Sequence, residues 1–345
     1  MRIVQAMAGA KHGGAELFFE RLAAALCRAG FDQKVLIKGY EERLSRLFSA
    51  GLDPVAVPFG GRFDFKTGRL FREAVRSFRP EIIMTWMNRS TSFCPSKKRA
   101  GVPFIHVGRL GGYYDLAYYK ACDHLVCNTQ DLVRYVTSTG WAKERVHYLP
   151  NFVDERRAPP AGRSALYTPE GVPLVFALGR FHKNKGFDAL LKAFSHLSDA
   201  YLWLAGDGPE RESLEALAYQ LGVRPRVRFL GWRDDVPSLY AAADLFVCPS
   251  RHEPLGNVIL EAWAQHKPVM AASSQGPSAL IQDGETGVLV PVDEPEEMAR
   301  HIRIGLRDRD ALARLADNGY KAFQKDFTEA RVVEQYGDFF RRILS

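Results

Sequence analysis

The 345-residue chain contains no apolar run approaching the roughly 18 residues that cross a bilayer, so no membrane-spanning segment is expected. Only five cysteines occur, Cys27, Cys94, Cys122, Cys127 and Cys248, and none forms a C-x-x-C pair. Their odd number and scatter point to free buried thiols in a reducing compartment. His124, between Cys122 and Cys127, does not complete a metal site. Met1–Met7 is too short for a signal peptide and reads as a first buried strand, so the expected location is cytoplasmic. No G-x-G-x-x-G follows a strand, which disfavours an NAD-dependent dehydrogenase. A helix-turn-helix, a zinc finger and an RNA-binding aromatic motif are all missing, so no nucleic-acid partner is expected. The sole D-x-D, Asp308-Arg309-Asp310, lies in a polar helical stretch and reads as surface charge; no metal is required. Internal repeats and low-complexity tracts are lacking as well.

The chain has enough residues for two domains, each with its own core. Its apolar and charged fractions, 46% and 25%, are those of a globular protein and argue against disorder. The net charge of +7 is uneven. Residues 1–150 hold 23 Lys/Arg against 13 Asp/Glu, a surplus of ten positive charges, whereas residues 151–345 hold 24 against 27. The basic half is expected to favour anionic partners, a membrane surface above all.

Short β-rich segments alternate with amphipathic ones, the pattern of βα units around parallel sheets. Strands are expected at Arg2–Met7, Gln33–Ile37, Ile82–Trp86, Phe104–Val107 and His124–Cys127. In the second half they are expected at Leu174–Leu178, Tyr201–Ala205, Val227–Leu230, Leu245–Val247 and Val269–Ala271. Helices are expected at Ala15–Ala29, Phe71–Phe78, Asp131–Thr139, Gly186–Leu197, Glu210–Leu221, Val236–Ala242 and Val258–Gln265. The fold class is α/β, with two doubly wound domains in tandem. The Pro- and Gly-rich stretch from Arg156 to Pro173 reads as a linker, dividing the chain into residues 1–155 and 156–327.

Glu253 and Glu261 stand eight positions apart around a helix start. Pro254 keeps Glu253 in the preceding loop, and a helix opening near Gly256 leaves backbone N–H groups for an anion. Arg180 and Lys185 lie on a glycine-flanked turn between a strand and a helix, a forked guanidinium and an ammonium suited to a diphosphate. The same residues also fit solvated surface cations and a helix-end ion pair. Gly13 and Gly14 occupy a βα turn where backbone can approach a phosphate or sugar, although such a pair also serves as a plain turn. Phe71, Ala74, Val75 and Phe78 form a helical stripe that reads as core. The alternative is an acceptor- or membrane-facing surface with Arg62, Lys66, Arg69, Arg72 and Arg76 on headgroups.

Six segments, in order, resemble the retaining glycosyltransferases of family 4, which have the GT-B architecture. They are Gly13-Gly14-Ala15-Glu16, Leu149–Asp154, Gly179-Arg180 with Lys185-Gly186, Ala205–Pro209, the E-x7-E run Glu253–Glu261, and Asp283-Gly284 with Thr286-Gly287. The resemblance covers nearly the whole chain. It implies two Rossmann-like domains facing across a cleft, acceptor on the first and donor held mainly by the second. A final helix, about 328–345, would pack back on the first domain. Glu261 would bind the donor's ribose, Glu253 a hydroxyl of the transferred sugar, and Leu255, Gly256 and Asn257 would offer backbone N–H groups. Gly231–Val236, including Arg233, resembles the base-contacting turn. His106 resembles a histidine that contacts the sugar and assists catalysis, with Arg109, Asn88 and Arg89 on the acceptor side. The implied reaction is metal-independent transfer, with retention, from a nucleotide-sugar to a glycan or glycolipid hydroxyl. The expected setting is lipopolysaccharide-core or surface-glycan synthesis on the inner face of the membrane. A GT-B epimerase or hydrolase and an inactive nucleotide-sugar-binding scaffold are the alternatives. One departure stands out: Ala279 occupies the acidic position of the family's Gly-Gly-x-Pro-Glu loop.

Overall fold

A computed structural model describes residues 1–11, 13–61 and 63–345. The chain divides into two compact units, Met1–Asn151 with Glu329–Ser345, and Phe152–Thr328.

The first unit is built on β1 (Arg2–Met7), β2 (Asp32–Ile37), β3 (Pro54–Ala56), β4 (Ile82–Trp86), β5 (Ile105–Leu110), β6 (His124–Cys127) and β7 (Val146–Tyr148). All pair in parallel in the order β3-β2-β1-β4-β5-β6-β7. Strands buried on both faces need apolar side chains throughout, and Ile82, Ile83, Met84 and Trp86 are buried. The helices are α1 (Gly14–Arg28), α2 (Glu41–Ser49), α3 (Phe65–Phe78), α4 (Met87–Phe93), α5 (Lys97–Ala100) and α6 (Gln130–Ser138). On α3 the stripe is core, with Phe71, Ala74 and Val75 packed beneath Val4, Leu36 and Ile83. The helix starts six residues earlier than expected because the Asp64 carboxylate caps it, accepting from Thr67 N. Arg62 lies outside the described residues.

The terminal helix Glu329–Leu344 belongs to this unit. Its Phe340 packs on Phe31, and its Tyr336 hydroxyl accepts from Arg109 Nε at 3.0 Å.

The second unit carries β8 (Leu174–Leu178), β9 (Tyr201–Ala205), β10 (Val227–Gly231), β11 (Leu245–Cys248), β12 (Val269–Ala272) and β13 (Val288–Val290), also all parallel, in the order β10-β9-β8-β11-β12-β13. Its helices are α7 (Phe187–Ser195), α8 (Arg211–Gln220), α9 (Val236–Ala242), α10 (Asn257–Ala264), α11 (Gln275–Leu280), α12 (Pro295–Arg307) and α13 (Arg309–Asp326). Two buried clusters lie on this sheet. One includes α7, α8 and α12, and the other is centred on Trp203, Tyr240, Phe246 and Trp263. The stretch 156–173 does not run free as a linker would. Arg163 donates to Ala242 O and Asp244, and Trp203 Nε1 donates to Thr168 Oγ1 at 2.8 Å, fastening it to this unit.

Open parallel sheets bind ligands beyond the carboxyl ends of the strands where the strand order reverses. In the first unit that point lies between β1 and β4, and in the second between β8 and β11.

Candidate active site

The second unit's reversal point gathers the charged residues singled out in the sequence. The loop after β8 carries Arg180 and Lys185, and the loop after β11 carries Glu253. Lys185 Nζ donates to Glu253 Oε2 at 2.5 Å, and Glu253 is 8% exposed. Ser250 Oγ lies 3.5 Å from the same oxygen, itself approached by Cys248 Sγ. Burial, then Glu253, pushes the Cys248 thiol up to about 11, so it stays protonated. An ammonium has three donors, so the pair leaves two on Lys185 for another oxygen ligand. Arg180 is exposed, and its guanidinium has no partner among the described residues.

Gly256 makes the turn into α10 at φ 76°, a conformation that strains any side chain. A Cβ there would also stand 2.8 Å from Leu280 Cδ1. The opening turn of α10 then presents N–H groups with no intrahelical carbonyl and a positive dipole end, close to the Glu253 carboxylate. Glu261 is half-buried on α10 and meets the Tyr240 hydroxyl at 3.4 Å; that hydroxyl also donates to Val258 O. Burial, with Glu261 next, raises Tyr240 well above the ordinary phenol range, so it is a neutral donor. A carboxylate offers about four acceptor positions, so this contact is compatible with a diol.

A clamp absent from the sequence reading holds the β11 loop. Arg251 pairs with both Asp188 oxygens at 2.7 Å, with Asp293 at 2.7 Å and with Lys183 O. Burial would push Asp188 up, but the Arg251 hydrogen bonds and charge outweigh it and hold the carboxyl low. Three separated sequence segments meet there, which no local motif announces. Arg233 is already engaged, donating to Asp235 at 2.7 and 2.6 Å, while its neighbour Trp232 is 83% exposed. Asp308 caps α13 by accepting from Ala311 N.

In the first unit, Gly13 precedes α1 and Gly14 opens it. A Cβ on Gly13 would collide with the Glu16 carboxylate, which instead accepts from Ala10 N at 2.7 Å. Glu16 therefore orders the β1–α1 turn. Arg43 supports the same turn, pairing with Glu20 at 2.8 Å and donating to Ala10 O.

Two expectations need correction here. The strand carrying His106 was expected to stop at Val107, one residue beyond it, but β5 continues to Leu110 and His106 is its second residue. It is buried, with Nε2 2.9 Å from Thr85 Oγ1 and 3.7 Å from Cys122 Sγ. Burial lowers its pKa to about 4 and keeps the ring neutral, so it is a core residue at the amino end of the sheet. Arg109, expected as a phosphate or acceptor contact, is 2% exposed. Its guanidinium lies 4.7 Å from the Phe18 ring and 4.3 Å from Trp86, and donates to Tyr336 and to Asn151 Oδ1 at 2.6 Å. The acceptor-side candidates Asn88 and Arg89 lie on the first turn of α4, and Arg89 donates to Phe59 O at 3.3 Å.

Two doubly wound parallel sheets, the second with charged loops at its reversal of strand order, form a tandem α/β architecture of the nucleotide-binding kind. Comparison with known proteins narrows this. "Glycosyl transferases group 1" matches residues 162–322 and "Glycosyltransferase Family 4" matches residues 12–157. The lipopolysaccharide core biosynthesis glycosyltransferases LpsE and LpsD of Rhizobium meliloti (strain 1021) are 36% and 37% identical over 338 residues. These matches span 94% and 96% of this chain and 95% of each relative. Among solved structures, Anabaena Alr3699/HepE in complex with UDP matches with TM-score 0.87 at 21% identity, over 99% of this chain and all of that one. WaaG, a glycosyltransferase involved in lipopolysaccharide biosynthesis, matches with TM-score 0.71 at 19% identity, over 98% and 99%. The chain belongs to glycosyltransferase family 4.

Proposed function

We propose that this glycosyltransferase moves a hexosyl unit, with retention, from a nucleoside-diphosphate sugar to a hydroxyl of a glycan or glycolipid in lipopolysaccharide-core assembly. The observation that carries the reading is the Lys185–Glu253 pair at the β8/β11 reversal, with Arg180 and the α10 N-terminus on adjoining turns. Lys185 and Arg180 neutralise the departing diphosphate, Glu261 holds the ribose hydroxyls, and Glu253 orients the transferred sugar and Lys185 together. Leu255, Gly256 and Asn257 contribute backbone N–H groups. The bond from the anomeric carbon to the diphosphate oxygen breaks as the acceptor oxygen bonds to the same face. The acceptor proton passes to the departing diphosphate oxygen, and an oxocarbenium-like state lies between. Positioning and preorganised positive charge supply the rate enhancement, and no metal is needed. His106, buried at the far end of β5, takes no part.

The LpsE and LpsD relatives support the core setting, and HepE, solved with UDP and with UDP-glucose, makes UDP-sugars the first donors to test. Peripheral attachment to the cytoplasmic face of the membrane is part of the proposal. The basic first half supports it, as do Phe63 and Phe65, 81% and 80% exposed, beside the exposed cations Lys66 and Arg69. No helix among the described residues is long and apolar enough to cross a membrane.

The test is incubation with UDP-glucose or UDP-galactose and a truncated lipopolysaccharide core, in excess EDTA. A product whose new anomeric proton matches the donor's configuration upholds the proposal. Inversion, or activity restored only by magnesium or manganese, contradicts it. Release of UDP at equal rates without acceptor would make the protein a hydrolase.

A further inference from the structure

The two loops that bring Lys185 and Glu253 together also touch each other beyond that pair. The turn Lys183–Lys185 follows β8, and the run Pro249–Glu253 follows β11. His252 N donates to Asn184 O at 3.1 Å, one residue before each member of the pair. Gly186, at φ 66°, lies so close to the other loop that a Cβ on it would stand 2.1 Å from Pro249 O, so no side chain fits. Arg251 Nη1 donates to Lys183 O at 2.7 Å, spanning the same gap from the β11 side. The same guanidinium meets both oxygens of Asp188, in the first turn of α7, at 2.7 Å each. Its Nε meets Asp293, in the turn after β13, at 2.7 and 2.9 Å.

A guanidinium is a planar fork with fixed donor directions, so three partners held at once leave it one orientation. Lys183 and Arg251 each stand two residues before a member of the Lys185–Glu253 pair. The three charged side chains all reach solvent, and ion pairs in such places add little stability. What the fork fixes is the spacing of the two loops. A long ammonium and a carboxylate grip a ligand well only when their supports hold them in place beforehand. We propose that Arg251 is a positioning residue for donor binding. Through Lys183 O, Asp188 and Asp293 it sets the separation of the β8 and β11 loops, and so the reach of Lys185 and Glu253 toward the donor's diphosphate. This rests on the donor reading of that pair. Glu261 meets Tyr240 from within α10, so its hold on the ribose does not depend on the spacing of the loops.

The experiment uses the full chain and calorimetry with UDP, GDP and ADP, taking forward whichever binds the wild type most tightly. Arg251→Met should weaken that nucleotide at least tenfold while still unfolding cooperatively. In that background a further Lys185→Ala should cost less than threefold, against more than tenfold in the wild type, because a misplaced ammonium has little left to lose. Glu261→Ala should cost the same factor in both backgrounds, which separates a moved loop from a generally loosened fold. Arg251→Lys keeps the charge but cannot reach Lys183 O and both carboxylates together, so it should bind as weakly as Arg251→Met. Affinity within twofold of wild type in Arg251→Met overturns the proposal. Full recovery in Arg251→Lys, or equal losses from Lys185→Ala in both backgrounds, overturns it too. Those results leave the donor reading standing. A wild type that binds none of the three nucleotides overturns that reading and the positioning role with it. If Arg251→Met does not fold, Asp188→Asn decides. It loosens one arm of the fork and should show the same pattern at a smaller size, and unchanged affinity in it overturns the proposal.

Discussion

Lys185 Nζ lies 2.5 Å from Glu253 Oε2, and the two residues reach each other from loops about seventy positions apart, one after β8 and one after β11. In the absence of ligand the cation satisfies the carboxylate. Under the proposed function, the donor diphosphate shares the cation without breaking the pair.

Lys185→Ala therefore leaves a buried carboxylate without its cation and, under the proposed function, removes a phosphate contact as well. Nucleotide affinity should fall more than tenfold and stability by about 1–3 kcal/mol. Lys185→Met combined with Glu253→Gln should recover the stability but not the affinity. Urea unfolding and calorimetry with UDP check both halves, and recovered affinity in the double variant would show that the pair is structural only.

Gly256→Ala places a side chain where φ is 76° and Leu280 already fills the space. The expected cost is at least about 1 kcal/mol. Donor affinity should fall as well, because the N–H groups of the first turn of α10 are displaced. Unfolding curves and UDP titration of this one variant give both numbers.

Arg109 ties β5 to the terminal helix through Tyr336. Tyr336→Phe should cost about 1 kcal/mol for the lost hydrogen bond. Arg109→Met should cost about 2–4 kcal/mol, since it also removes the contacts with two aromatic faces and the hydrogen bond to Asn151. Hydrogen exchange across Glu329–Leu344 should speed up in both variants. Unchanged protection would show that the helix is held by apolar packing alone.

Buried His106 and half-buried His147 are expected to set the acid limb of stability. His106 has a folded pKa of about 4 against an ordinary value of 6.5, so folding favours the neutral ring. That stabilisation is complete above pH 6.5 and is lost as pH falls toward 4, by up to about 3 kcal/mol. His147 acts in the same direction: burial, then His124, lowers it to about 4. Urea midpoints should therefore drop between pH 7.5 and 5.0. His106→Gln should flatten the drop while preserving turnover at pH 7.5. Lost turnover with intact stability would return His106 to the active site.

The long strands were legible because burial on both faces demands continuous apolar runs; Ile82–Trp86, Leu174–Leu178 and Tyr201–Ala205 appear with the expected boundaries. The edge strands β3, β7 and β13 were not, because three residues hold no period. The missed helix α2 is mostly polar and buries only Arg43 and Leu47. Helix α4 was missed: Met87, at φ 65°, bends the chain from strand to helix without a loop. Residues carried by local motifs, Arg180, Lys185, Glu253 and Glu261, could be singled out from their spacing. Arg251 could not, and Arg109 was given the wrong partners, since the groups both residues pair with come from distant segments. His106 was misplaced because the strand's apolar run seemed to stop at a histidine that the fold buries with Thr85.

The central claim is that the second unit binds a nucleoside-diphosphate sugar through Lys185, Glu253 and Glu261. A thermal-shift panel of UDP-, GDP- and ADP-sugars on the wild type, Glu261→Ala and Lys185→Ala tests it most directly. One nucleotide should raise the wild-type melting temperature, with the shift abolished in both variants although each still unfolds cooperatively. An equal shift in all three proteins, or none with any nucleotide, would contradict the claim.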